Sequence, residues 1–349
     1  MEKKSLNIWI DIANSPHVLF FEPITNELKK LGHSVYLTAR NFCNTIPLAE
    51  AKGLTIKKIG AGFEFGRLEP LNNLYWYSRY FKLLRFAHNK KFDVAVSHYS
   101  STQAAAARRL GIPVFSTIDY EHVDLRAFRE AKCFMIPDIV PSHFFEIGGV
   151  PAPSIFKYSG LKENVYLYSY KFKLKEVADK FQILGNEIIV TFRPVSETAH
   201  YLNYSNQNFQ NFLLEKLASQ NNVKIIVLPR TDFQRKKFEA KAKYFPGITV
   251  CNGVVDGPSL ISLSDLVVSG GGTMIREAAV LGIPAVSYFH GKMGAVDLWL
   301  QKNGSLLIIN NPEDINAFLP LKKRLKKALN PGNGTISSII NGICNTAAK

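Results

Sequence analysis

The sequence predicts an α/β protein of two doubly wound domains facing each other across a cleft. Three observations carry this expectation. Short apolar runs alternate with amphipathic stretches along the chain, which is the pattern of β-α-β units with parallel sheets. The alternation lapses once, over residues 161–185, and then restarts. The length, 349 residues, exceeds one ordinary core and suits two domains of roughly 150 residues each.

Leu6–Ile12 is an apolar strand with Asp11 near its carboxyl end. Ser15 is the expected N-cap of the next helix and Pro16 suits its first position. That helix runs to about Lys30, where Leu31-Gly32 stops it. Strands are expected at Ser34–Thr38, Leu54–Ile59, Asp93–Ser97, Pro113–Ile118, Lys132–Ile136 and Ser154–Tyr158, and helices at Thr45–Lys52, Asn72–Asn89 and Thr102–Leu110. These elements make a first domain over 1–160. Residues 161–185 read as a connector with one helix.

A second domain is expected over 186–335. Its strands are Glu187–Phe192, Lys224–Leu228, Thr249–Cys251, Leu266–Ser269 and Ala285–Tyr288. Its helices are Asn206–Ser219, Phe233–Lys243, Gly257–Leu263 and Thr273–Leu281. A tail helix over 336–349 is read as packing back on the first domain. In such sheets ligands bind beyond the carboxyl ends of the strands, on a rim that right-handed crossovers create.

Composition is globular, with 46% hydrophobic and 20% charged residues. No run of about 18 apolar residues is present, so no membrane span is expected. Leu6–Ile12 is too short, and too polar at Asn7 and Asp11, for a signal peptide. Cys43, Cys133, Cys251 and Cys344 lack CxxC spacing. They suggest neither a metal site nor a disulfide framework, which fits a reducing cytosol. The expected location is cytoplasmic, with peripheral attachment to the inner face of the cell membrane as an option.

The formal charge of +15 calls for acidic partners: nucleic acid, anionic lipid or a phosphorylated substrate. No nucleic-acid-binding module is recognisable, so nucleic acid is the least favoured. Basic residues gather at Lys322, Lys323, Arg324, Lys326 and Lys327, and between Pro70 and Phe92, where five basic residues occur with no acid. In the helix over 72–89, Leu74, Tyr77, Tyr80, Phe81 and Leu84 suit one buried face, with Arg79, Lys82 and Arg85 on an adjacent edge. Aromatic and basic residues together suit an anionic membrane interface, with Trp76, Arg79 and Lys82 as contacts. A core helix with a solvated basic edge is the alternative.

The most informative segment is DLVVSGGGTMIREAAVLGIPAVS over Asp265–Ser287. A buried strand runs into Ser269-Gly270-Gly271-Gly272-Thr273, and a helix follows at once. Glycines let the backbone approach a phosphate, and the amides and dipole of the helix start hold negative charge. Ser269 and Thr273 can add hydroxyl donors. Glu277, one turn further, can accept the hydroxyls of a ribose, so the set suits a nucleoside diphosphate. The segment is neither a Walker A motif nor a GxGxxG fingerprint. Arg193 and Arg230 follow the first two strands of this domain and are candidate diphosphate clamps. His290 ends the last strand and is a candidate sugar or phosphate contact.

On the first domain, His17 stands at a helix start just after the first strand, where it can act as general base. Asp119, Glu121 and His122 follow the strand Pro113–Ile118, and His98 ends another strand. Asp119 or Glu121 can take an acceptor proton. Asn14, Ser15, His98 and His122 are read as the acceptor side.

Ser269–Ser287 resembles the donor-binding motif of GT-B glycosyltransferases and of UDP-N-acetylglucosamine 2-epimerases. DIANSPHVLFFEPITNELKKLGHSVYLTAR, from Asp11 to Arg40, resembles the opening of the bacterial peptidoglycan N-acetylglucosaminyltransferase. The whole chain resembles domain-of-unknown-function family 354 through Trp9-Ile10-Asp11-Ile12-Ala13-Asn14-Ser15-Pro16-His17 and Asp119-Tyr120-Glu121-His122. The resemblance implies a GT-B-like fold of two Rossmann-like domains. It implies a glycosyltransferase that moves a sugar from a nucleotide diphosphate donor, a UDP-sugar by preference, to a hydroxyl acceptor that can be lipid-linked. The alternative is a nucleotide-sugar epimerase or hydrolase. No cofactor and no bound metal are implied, the nucleotide-sugar being substrate.

Two departures stand out. The first loop lacks the glycines of the peptidoglycan enzyme, which implies a different acceptor site. Where the epimerases carry an Arg-rich first loop and a His-Arg-Glu-Asn stretch, this chain has Asn14-Ser15-Pro16-His17 and Arg193-Pro194-Val195-Ser196-Glu197.

Overall fold

The computed structural model describes residues 5–61, 69–195, 204–325, 329 and 335–348. Ser196, Glu197, Lys326 and Lys327 lie outside them. The chain divides into two compact units: Met1–Tyr166 with Gly294–Val296 and Asn333–Lys349, and Leu167–Met293 with Asp297–Gly332.

In the first unit the chain runs through β1 (Asn7–Ile12), α1 (Ser15–Lys30), β2 (Ser34–Asn41), α2 (Thr45–Ala51), β3 (Ile56–Ala61), α3 (Glu69–His88) and β4 (Val94–His98). It continues through α4 (Ser101–Arg109), β5 (Val114–Thr117), β6 (Cys133–Pro137), α5 (His143–Ile147), β7 (Ile155–Tyr158) and α6 (Lys162–Leu167). The described residues form a sheet in the order β3-β2-β1-β4-β5-β6-β7, with every pair parallel. Both faces are covered, so strands such as β4 are buried at every position and read as apolar runs.

The second unit contains α7 (Leu174–Phe181), β8 (Ile188–Arg193), α8 (Tyr204–Ala218), β9 (Val223–Val227), α9 (Asp232–Ala242), β10 (Ile248–Val250) and α10 (Gly257–Leu263). After these come β11 (Leu266–Ser269), α11 (Gly272–Val280), β12 (Ala285–Ser287), α12 (Ala295–Lys302, of which Ala295 and Val296 count with the first unit) and β13 (Leu307–Ile308). Their order is β10-β9-β8-β11-β12-β13, again all parallel. The core gathers Val190, Phe192, Leu213, Ile225, Val227, Val268 and Val286. The last helix, α13 (Ile336–Ala347), lies against α1, β4, β5 and β6 of the first unit. No described helix is long and apolar enough to cross a membrane.

Each sheet therefore reverses its strand order once, at β1/β4 and at β8/β11. In doubly wound sheets this switch point is where a crevice opens beyond the strand ends. The segment over 161–185 holds two helices, α6 and α7, instead of one. The helix start expected at Ser15 has Asn14 as its N-cap, without a side-chain cap bond.

The largest correction concerns α3. Leu74, Tyr77 and Phe81 are 63%, 56% and 60% exposed, while Arg79 is buried at 5% beside Leu83 and Ala87. The cause is Asp11, fully buried at the end of β1. Arg79 Nη2 donates to both Asp11 carboxylate oxygens at 2.8 Å. Its Nε donates to the Ile59 carbonyl at 3.2 Å, and its Nη1 bonds the hydroxyls of Ser100 and Thr102. Turning α3 to bury the expected face would exchange apolar for apolar, but it would strip Asp11 of its counter-ion, at about 3–5 kcal/mol. Trp76 also faces the protein: its Nε1 donates to Ser101 Oγ at 3.0 Å and its ring stacks on Tyr80. Arg79 and Trp76 are thus not membrane-side contacts, whereas Lys82 is exposed.

Candidate functional site

At the first switch point, His17 stands in the first turn of α1, just after β1, and β4 ends on His98. Both are buried, and their rings meet edge to face with centroids 4.7 Å apart. His98 Nδ1 pairs with Thr117 Oγ1 at 2.8 Å, and its Nε2 lies 3.3 Å from Asp119 Oδ1. The other Asp119 oxygen accepts from Lys162 Nζ at 2.6 Å, and Glu163 Oε1 lies 3.6 Å from the same ammonium. Asp119, Lys162 and Glu163 are all buried. The result is a buried acid–base chain of His98, Asp119 and Lys162 with His17 at its end.

His17 Nδ1 is buried with no hydrogen-bond partner. Burial, then the nearby His98 and Lys162, hold its pKa well below the ordinary value, and Asp119 opposes them only in part. A neutral imidazole with a bare nitrogen can accept a proton. The unfolded chain takes up that proton near pH 6.5 and the folded chain resists it, so the unfolded state binds more protons just below that pH. Stability contributed by His17 is therefore complete above about pH 6.5 and falls as pH drops toward the lowered folded value. The variant His17→Gln is expected to flatten this acid limb of the Tm–pH curve. An unchanged limb would show that His17 is not the group held neutral.

Asn14 and Ser15 are tied into the first unit. Asn14 Oδ1 accepts from Arg40 Nη2 at 2.8 Å, and Ser15 Oγ pairs with Thr45 Oγ1 at 3.2 Å. Glu121 is buried. Its Oε1 accepts from the Ala295 amide at 2.8 Å, within the same unit, and its Oε2 has no partner. His122 Nε2 lies 3.6 Å from Glu121 Oε1, and its ring meets Tyr120 and Phe144 edge on. Gly294 is required here, because a Cβ would come within 2.8 Å of the Tyr120 ring.

The second switch point carries the glycine segment. Gly271 is the N-cap of α11 and offers no capping side chain. Helix geometry leaves the amides of Gly272, Thr273 and Met274 without intrahelical acceptors. The Arg230 guanidinium lies over this start: a Cβ on Gly271 would come within 2.9 Å of Arg230 Nη2. Arg230 is held there by its Nε, which donates to the Pro194 carbonyl at 3.2 Å. The arrangement presents amides and a cation to an anion.

Three expected donor residues turn inward instead. Ser269 is fully buried; its hydroxyl donates to the Gly271 carbonyl at 3.0 Å and accepts from the Gly271 amide at 3.1 Å. The Gly270 amide donates to the Arg193 carbonyl at 3.1 Å, and a Cβ on Gly270 would strike Val195 Cγ1 at 2.1 Å. Gly270 thus serves packing. Arg193 Nη1 donates to the carbonyls of Leu228 and Pro229 at 2.8 and 3.1 Å, which ties β8 to the loop after β9. Glu277 is buried on the second turn of α11. His290 stacks on Phe209 with centroids 5.5 Å apart, and burial lowers its pKa.

The family model described as protein of unknown function, DUF354, matches residues 6–348. The chain belongs to the DUF354 family. An uncharacterised protein of Methanocaldococcus jannaschii is 27% identical over 89% of this chain and 90% of its own length. Among solved structures, the UDP-GlcNAc 2-epimerase of M. jannaschii in complex with UDP-GlcNAc and UDP superposes with a TM-score of 0.72 at 16% identity, over 97% of this chain and 99% of that one. MurG of Acinetobacter baumannii superposes at 0.51 and 16% identity, over 98% and 94%. At such identities the likeness is one of fold: two Rossmann-like domains of the GT-B kind.

Two residues of this DUF354 chain escaped the reading of its sequence. Lys162 sits in the apparent connector, and only its bond to Asp119, 43 positions earlier, reveals it. Arg276 lies on α11 with its guanidinium 3.5 Å from where a Gly272 Cβ would be. It forms a buried bidentate pair with Asp297, at 2.7 and 2.9 Å. Glu277, one turn past Thr273, stood out in the sequence, and the Arg276 beside it was passed over.

Proposed function

We propose that this DUF354 protein is a nucleotide-sugar enzyme of the glycosyltransferase type. The carrying observation is the start of α11, where unpaired amides and the Arg230 guanidinium converge at a switch point. In this reading they hold the diphosphate of a UDP-sugar. The complex of the M. jannaschii epimerase with UDP-GlcNAc and UDP supports uridine as the nucleoside. An acceptor hydroxyl attacks the anomeric carbon, the bond from that carbon to the diphosphate oxygen breaks, and UDP leaves with the electron pair. The acceptor proton passes to the buried chain of His17, His98 and Asp119. The helix start and Arg230 offset the charge that grows on the leaving diphosphate.

A second reading, epimerase or hydrolase, is favoured by one observation: Glu121 keeps a buried oxygen without a partner. A carboxylate so placed can act on water or on the sugar itself. The two readings separate when purified protein is incubated with UDP-GlcNAc. Transfer predicts UDP release only after a glycan or lipid-linked hydroxyl acceptor is added. UDP or isomerised sugar formed without acceptor overturns transfer in favour of the second reading. No turnover of any nucleotide-sugar overturns both.

A further inference from the structure

We propose that the exposed face of α3 docks the protein onto an anionic lipid surface. Leu74, Tyr77 and Phe81 stand at positions i, i+3 and i+7, so they share one side of the helix. All three are exposed. Arg85 continues the same stripe one turn beyond Phe81, and Lys82 borders it; both are exposed. From Pro70 to Phe92 the chain has no acidic residue. An apolar, partly aromatic stripe bordered by cations, with neutral Ser78 beside it and no acid from Pro70 onward, is the surface of a helix that lies in a headgroup layer.

The face is rigid. Arg79, clamped on Asp11, prevents α3 from turning its apolar side inward. Trp76 stacks on Tyr80 at 5.5 Å, and Tyr77 and Phe81 meet this pair edge on at 5.2 and 5.1 Å. The exposed rings are therefore held outward, ready for insertion, and lose little freedom when buried.

Charge selects the occupant. A second copy seated face to face would set Lys82 and Arg85 against their own counterparts, like charge on like. An acidic polymer would satisfy the cations but leave Leu74, Tyr77 and Phe81 in water. An anionic bilayer satisfies both: acyl chains take the apolar stripe and headgroup phosphates take the cations. This inference does not depend on the enzymatic reading, since lipid binding is measured without turnover.

The test is co-sedimentation of the full-length protein with vesicles. One set is phosphatidylcholine alone; the other contains phosphatidylglycerol at about a third of the lipid. Binding is expected to the anionic vesicles only, and to weaken as salt is raised. The pair Lys82→Gln with Arg85→Gln is expected to weaken binding roughly thirty-fold. The pair Leu74→Ser with Phe81→Ser, which keeps every charge, is expected to weaken it at least ten-fold. Lys236→Gln with Lys243→Gln, on the second unit, is the control and should change binding less than two-fold. All these side chains, the control pair included, are exposed, and matched Tm values confirm folding. Absence of binding to anionic vesicles overturns the proposal. So does an equal loss in the control pair, which would mean unspecific attraction, or a dimer that Leu74→Ser with Phe81→Ser splits, which would mean the face pairs two copies.

Discussion

Asp119→Asn is expected to lower turnover by about 10² to 10⁴-fold, the usual contribution of a positioned acid or base, while leaving nucleotide affinity within a factor of about two. Asp119 joins His98 to Lys162, with oxygens 3.3 Å from the one and 2.6 Å from the other. An amide keeps the shape but removes the charge that orients the imidazole and balances the ammonium. In the proposed reading the diphosphate is held by the start of α11 and Arg230, so UDP affinity should not follow. The check is a split between steady-state rate and nucleotide Kd. A parallel loss of both would mean that Asp119 acts on the fold, and an unchanged rate would remove it from the chemistry.

Asp11→Ala is expected to be the most destabilising single change in the first unit, by about 3–5 kcal/mol, because it leaves Arg79 buried and uncompensated. For a unit of this size that lowers Tm by roughly 6–20 °C. The bidentate contact at 2.8 Å and full burial of the carboxylate make the loss larger than any surface pair would give. Combining Asp11→Ala with Arg79→Met should recover part of the loss, since two missing charges cost less than one left behind. A double variant no more stable than the single one would show that the pair is not what holds α3 against β1.

The fold was largely legible because parallel strands buried on both faces are continuous apolar runs, as in Val94–His98 and Leu266–Ser269. Elements set by distant partners were not. β13 has only two residues and α5 only five, too few for a period to show. The amphipathic reading of α3 failed because a local pattern cannot register Asp11, 68 positions away. Lys162 was hidden for the same reason, as its role depends on a partner across the first unit. The glycine run was visible as a helix start, but the division of labour within it was not. Ser269 and Gly270 are drawn into the turn by contacts with Gly271, Arg193 and Val195. Of the two candidate clamps, Arg230 reaches the helix start, while Arg193 binds backbone carbonyls.

The account rests on an anion site formed by the amides of Gly272, Thr273 and Met274 together with Arg230. Calorimetric titration of the protein with UDP, and of its Arg230→Ala variant, addresses this most directly. We predict saturable UDP binding to the wild type and a loss of about ten- to hundred-fold in the variant, the range for a charge-assisted hydrogen bond, with Tm unchanged. A variant that binds UDP as tightly as the wild type, or a wild type that binds no nucleoside diphosphate, would contradict it.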